Sequence, residues 1–219
     1  THPVSYRPRH ASRGQRVAVH GEHVLIHTGW PNPGLRRVIR RYGRLWSRFP
    51  VPVIVHLLAT TPSEVGKAAD RLSALEGVDG IELGLAEDTT LQACLDLLHA
   101  AQFEGALPII VKIPHGRVAE LALPLEEAGA DALTLTAPPR AVLPRFEEEE
   151  MLPSKFIRGR LYGPARFPQL LHVLTVWGPR LSVPLIACGG VANPQEALAC
   201  LSLGADAVQI EACVWRTPS

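Results

Sequence analysis

Three junctions in this chain repeat one another: EGVDGIEL at 76–83, EAGADALTL at 127–135 and SLGADAVQI at 202–210. In each, a glycine able to take a left-handed conformation ends a helical stretch. An aspartate follows two residues later, and a short apolar strand begins. Around these junctions the pattern predicts strands at 51–58, 80–85, 107–113, 132–137, 183–188 and 206–212. Runs such as VPVIVHLL are continuous and rich in β-branched residues, as in strands buried on both faces. Helical patterns fill the intervals at 62–75, 90–101, 117–128, 167–177 and 194–203. Thr61 before Pro62 and Asn193 before Pro194 are helix-start signals. Strand–helix alternation at this spacing means parallel βα units. A unit repeated with one junction is expected of a closed barrel more than of an open doubly wound sheet. No G-x-G-x-x-G follows any strand, which weakens the open dinucleotide fold.

The expectation is therefore a single α/β domain over 1–219, a (β/α)8-type TIM barrel in which the first strand and last helix are missing. Six strands are counted, a full barrel usually needs about 250 residues, and the start has room for one more strand near residues 1–5. Residues 51–219 carry the βα repeats, and 1–50 form a hairpin and loop region. VAVHGEHVLIHT (17–28) has the pattern of a hairpin turning at Gly21-Glu22. GWPNPGL (29–35) is irregular because Pro31 and Pro33 fix φ and remove donors. RRVIRRYGRLW places Val38, Ile39, Tyr42, Leu45 and Trp46 at helical spacing, with its arginines as a solvated face. A barrel without its first strand exposes an edge. A second copy, a partner chain or the 17–28 hairpin is expected to cover it.

Composition narrows the function. The 22 Lys+Arg and 21 Asp+Glu leave a net charge of +1, which argues against a nucleic-acid footprint. Hydrophobic residues at 47% and charged residues at 20% exclude a disordered chain. No apolar run reaches the roughly 18 residues of a membrane span. The four cysteines show no C-x-x-C spacing and read as buried thiols of a cytoplasmic protein. The histidines show no metal-site spacing, and neither a G-x-S-x-G nor a Walker loop occurs.

Barrel sites lie where strands end at the C-terminal rim. The residues there are His56, the segment Gly84–Asp88, Lys112, Thr136-Ala137-Pro138, Cys188-Gly189-Gly190 and Glu211-Ala212. Lys112, inside IIVKI, would put an ammonium in the barrel mouth, where it needs an anionic partner. That partner is an ion pair with Glu82 or Glu87, or an electron-rich ligand. ACGGVAN (187–193) is either a tight βα turn or a loop whose amides approach a phosphate. His115 reads as a loop residue more than a proton shuttle, and the run 147–150 as a solvated acidic loop.

These residues resemble a family. LIACGGVANPQEALACLSLGA (185–205) is similar throughout to the C-terminal signature of the dihydroorotate dehydrogenases. RLYGPARFPQLLHVL (160–174) resembles their Gly-Pro-Ala segment, IIVKIP (109–114) their lysine-bearing strand, and VSYRPR (4–9) and GWPNPGL (29–35) their early elements. The resemblance implies a (β/α)8 barrel holding FMN, which takes a hydride from dihydroorotate in pyrimidine biosynthesis while a base removes a proton. Carried over, Lys112 would contact the flavin. Gly163, Cys188, Gly189 and Gly190 would line its phosphate, with Glu211 and Ala212 at the remaining phosphate positions. The base position falls on Glu87, because the family's Asn-x-Ser-Cys-Pro-Asn is here Gly84-Leu85-Ala86-Glu87-Asp88-Thr89. The family's asparagine after the sixth strand is Ala137, and the flavin-contacting lysine of its second strand is His2. The implied reading is an FMN oxidoreductase without the orotate-specific residues. The competing reading is a degenerate, flavin-free binding or structural subunit.

Overall fold

The computed structural model describes residues 1–14, 16–145 and 155–210. In chain order the elements are β1 (Val17–His20), β2 (His23–Ile26), α1 (Leu35–Trp46), β3 (Ile54–Leu58), α2 (Pro62–Ser73), β4 (Gly80–Gly84), α3 (Leu91–Glu104), β5 (Ile109–Pro114), α4 (Val118–Glu127), β6 (Ala132–Ala137), β7 (Arg140–Arg145), β8 (Lys155–Tyr162), α5 (Arg166–Trp177), β9 (Leu185–Cys188), α6 (Pro194–Ser202) and β10 (Ala207–Gln209). The sequence-predicted repeats are all present between β3 and β10. The expected residues 211–212 of the last strand, Glu211 and Ala212, lie outside the described residues, as does the acidic run 147–150.

Six strands form one parallel sheet in the order β10-β9-β6-β5-β4-β3, which is sequence order. The sheet curls. Gln209 on β10 reaches the Glu82 carboxylate on β4 at 3.4 Å, although three strands intervene. A flat sheet would hold those strands roughly 19 Å apart. The described residues make a half-barrel of six parallel strands, less of the barrel than the sequence pattern predicts. At the β3 edge, a single parallel bridge joins Val4 to Leu57 where a further strand was expected. It is made by Val4 N–H to the His56 carbonyl (2.9 Å) and Leu58 N–H to the Val4 carbonyl (2.8 Å).

The repeated junctions explain the register. Gly77, Gly129 and Gly204 have φ of 82°, 85° and 92°, which only glycine adopts cheaply. Each following aspartate then clamps the start of the neighbouring strand twice. Asp79 Oδ2 accepts from Val53 N–H (2.7 Å), Asp131 Oδ2 from Ile109 N–H (2.7 Å) and Asp206 Oδ2 from Leu185 N–H (2.8 Å). Each aspartate's own N–H donates back to the carbonyl of the same residue, at 2.8–3.0 Å. Along the strands, Val55, Leu57, Ile81, Leu83, Val111, Ile113, Leu133 and Leu135 pack in the core with the helices. Their alternates, His56, Glu82, Lys112 and Thr134, therefore share the concave face. Alanines 68, 69, 101 and 122 are fully buried in α2, α3 and α4. They let the helices sit close in a core with few aromatics.

Two features differ from expectation. The segment after β6, read as irregular, makes β7 and β8. With the N-terminal hairpin these form an antiparallel sheet in the order β1-β2-β8-β7. The proline at 144 and the charged flanks hid β7, because its pairing with β8 supplies what local propensity lacks. The hairpin consequently pairs with β8 and does not cover an edge of the parallel sheet. The arginines of α1 are exposed as expected, opposite buried Leu35 and Trp46.

Replacing Asp131 with alanine strands the Ile109 N–H. It is expected to lower the unfolding free energy by about 1–3 kcal/mol, measured by urea denaturation. Asp131→Asn, which keeps one acceptor oxygen, is expected to lose less.

Candidate active site

The curl brings the polar side chains of five strands to one point. Glu82 is 4% exposed. Its Oε1 accepts from the Thr134 hydroxyl at 2.7 Å, and its Oε2 is bonded to His56 Nδ1. The Lys112 ammonium lies 3.7 Å from Oε2 and donates to the Gln209 side-chain oxygen. The register produces this meeting, since His56 stands opposite Glu82 and Lys112 opposite Thr134. Burial alone would raise the Glu82 carboxyl. The hydrogen bonds from His56 and Thr134 and the positive charge of Lys112 outweigh burial and hold it at about 2. The sequence-predicted choice for Lys112 thus falls on Glu82.

Above this cluster opens a cavity of about 390 Å³, lined by His56, Gly84, Lys112, Trp30, Pro138, Arg160, Tyr162 and Gln209 among others. A second cavity of about 380 Å³ shares Pro138, Tyr162 and Gln209 with it and continues over Gly163, Cys188, Gly189 and Gly190. The two adjoin into a cleft at the strand ends, beneath the antiparallel sheet. Lys112 thus stands in one half, and Gly163, Cys188, Gly189 and Gly190 in the other.

In the second half, Gly190 has φ of 75°, and a Cβ there would come within 2.4 Å of the Phe167 amide nitrogen. Glycine is required because the loop passes against the start of α5. Arg166, at that start, is 2% exposed. Its guanidinium donates to Thr136 Oγ1 at 3.1 Å and to the Gln169 side-chain oxygen, both neutral. Its Nε has no partner. No carboxylate pairs with Arg166 among the described residues, and Glu22 is the acidic residue on this cavity's lining. Burial, the largest influence, lowers the Arg166 pKa from its ordinary value. The sequence reading passed over Arg166, although an arginine in an otherwise apolar helix start was the available signal.

Glu87 stands apart from the cleft's polar cluster. It lines neither cavity. Its Oε1 accepts from the Arg140 N–H at 2.9 Å and lies 3.4 Å from Arg160 Nη1, and its Oε2 lies 3.3 Å from Arg140 Nε. Two guanidiniums and an amide surround its carboxylate oxygens. The position that the family pattern assigned to the base is part of an ion-pair network tying β7 and β8 to the loop after β4. His115 is partly buried, and burial followed by the Arg166 charge lowers its pKa. Among the described residues no group of three or more His, Cys, Asp or Glu side chains could hold a metal ion. None of their helices is long and apolar enough to cross a membrane.

A curled parallel sheet with its cleft at the strand ends defines the chain as an α/β protein of the βα-barrel kind. Comparison with known proteins makes this specific. No family model matches. The chain is 28% identical over 228 residues to the catalytic subunit of dihydroorotate dehydrogenase B (NAD(+)) from a Geobacter species, covering 99% of this chain and 74% of that one. It is 28% identical over 220 residues to the same subunit from Bacillus pumilus, covering 94% and 70%. The crystal structure of a dihydroorotate dehydrogenase from Eimeria tenella in complex with ferulenol superposes with a TM-score of 0.78 at 16% identity, over 99% of this chain and 70% of that one. The chain is a relative of the dihydroorotate dehydrogenases.

The Glu82 carboxyl gives a pH prediction. Its folded value lies below the ordinary 4.5, so its stabilising contribution is present above about pH 5 and is lost as pH falls toward 2. That contribution is on the order of 3 kcal/mol. Denaturation midpoints of the parent are expected to fall steeply over this range, and those of Glu82→Gln to fall less.

Proposed function

We propose that this chain is an FMN-dependent oxidoreductase of the dihydroorotate dehydrogenase type, with the cofactor lying along the joined cleft. The observation that carries this is the unpaired buried guanidinium of Arg166 beside Gly189 and Gly190. A buried cation held only by neutral groups is costly, and a phosphate would supply the missing anion. Backbone amides of a glycine loop and a helix start suit the same group. The likeness to the two bacterial catalytic subunits supports the rest.

In this reading Arg166, Gly163, Cys188, Gly189 and Gly190 hold the phosphate end, and Lys112 faces the polar edge of the ring system. Bound FMN would supply a two-electron acceptor. Glu82 and Gln209 hold the Lys112 ammonium in place. Trp30 and the Arg160 side chain, stacked 4.9 Å from each other, wall the first cavity against solvent. Glu211 and Ala212 remain assigned to the phosphate neighbourhood by the sequence alone. The substrate is a small molecule, and the setting implied by the relatives is pyrimidine biosynthesis, although the residues that bind orotate in the family are absent here. We place the protein in the cytoplasm, and a second copy or partner chain covers the open sheet edge.

Titration of FMN into the whole chain, followed by fluorescence quenching, tests the reading. The parent is expected to bind, Arg166→Leu to bind at least tenfold more weakly, and Gly190→Leu not to bind. Glu211→Gly is expected to bind more tightly, since it removes a carboxylate from the phosphate neighbourhood. A parent that neither binds FMN nor is yellow as isolated would favour a flavin-free binding or structural subunit.

A further inference from the structure

We propose that His56, oriented by Glu82, is the proton acceptor of this site, in place of the residue at position 87. The inference rests on the oxidoreductase reading above and adds to it the group that removes a proton from substrate. The argument begins with the carboxylate. Glu82 receives the Thr134 hydroxyl at 2.7 Å and the Gln209 amide at 3.4 Å, and Lys112 Nζ stands 3.7 Å away. Surrounded by donors, Glu82 acts as an acceptor only. The hydrogen between its Oε2 and His56 Nδ1 therefore belongs to the imidazole. In a neutral ring this places the lone pair on Nε2.

The second part is access. His56 lines the first cavity together with Lys112 and Gly84. A Cβ at position 84 would lie 2.6 Å from His56 Nε2, so the ring fits in this position only against a glycine. Nδ1 is engaged, and no side chain of the described residues caps Nε2. The arrangement is a histidine in the cavity wall, backed by a buried carboxylate at Nδ1 and without a hydrogen bond from the described residues at Nε2, which suits general-base work. Glu87 has no comparable free lone pair, being held by Arg140 and Arg160.

The step balances. A C–H bond beside a substrate carbonyl breaks, and its proton goes to Nε2. Its electron pair becomes a new carbon–carbon π bond, while the neighbouring carbon gives up a hydride to an oxidised flavin. The substrate loses one proton and one hydride, that is, two protons and two electrons. His56 becomes an imidazolium stabilised by Glu82.

Two measurements on the whole chain test this. Nitrogen NMR of labelled histidine in the parent is expected to show His56 with Nδ1 protonated and Nε2 bare, and Glu82→Gln to lose that preference. Finding Nε2 protonated in the parent overturns the proposal whatever the cofactor does. The second is anaerobic stopped-flow reduction of the FMN-loaded protein by dihydroorotate. His56→Gln is expected to slow flavin reduction about 10²–10⁴-fold, with FMN affinity and reoxidation by oxygen unchanged within threefold and with partial rescue by added imidazole. Should His56→Gln disturb folding, His56→Asn serves as the second variant. Reduction of either folded variant at the parent rate overturns His56 as the base. A parent that binds no FMN, or is not reduced, instead defeats the oxidoreductase reading, and the NMR result then stands as the test of His56.

Discussion

The reciprocal clamp made by Asp79, Asp131 and Asp206 on the neighbouring strand starts is the constraint on which the rest depends. A parallel sheet has no tight turns to set its register. A one-residue slip would exchange its two faces. Each aspartate pins one strand to the next by two hydrogen bonds at the end remote from the cleft. With those ends fixed, alternation carries the apolar residues of β3 to β6 to the helices and leaves His56, Glu82, Lys112 and Thr134 on the concave side.

The concave side is where polar groups are hardest to satisfy, and the two halves of the cleft solve this differently. In the first, one carboxylate serves a histidine, a hydroxyl, an amide and an ammonium, so charge is balanced inside the protein. In the second, Arg166 is buried with neutral partners and an unpaired Nε. The balanced half is suited to chemistry that must hold and move a proton. The unbalanced half is suited to binding an anion, which completes the compensation only when present.

The antiparallel sheet roofs the cleft and ties down the loop after β4. Arg140 and Arg160, on β7 and β8, engage Glu87 across 53 and 73 residues. A position that a family pattern assigns to catalysis lies here in an ion-pair network, and the base we propose, His56, stands on the neighbouring edge strand β3.

Much of the fold was legible in the sequence because its causes are short-range. Hydrophobic periodicity, the Thr61 and Asn193 caps with their following prolines, and the Gly-x-Asp junctions act within a few residues, and each appears where the pattern placed it. The order of the parallel strands followed from the same repeats. The need of Lys112 for an anion was also legible, being a matter of burying a charge in an apolar strand. Which anion it would be was not, since Glu82 and Glu87 are five residues apart and only the register and curl separate their surroundings. The pairing of β7 with β8, the release of the hairpin from the sheet edge, the burial of Arg166 and the joining of His56 to Glu82 were decided by tertiary structure alone. Each depends on distances between elements far apart in the chain, which no local pattern of residues encodes.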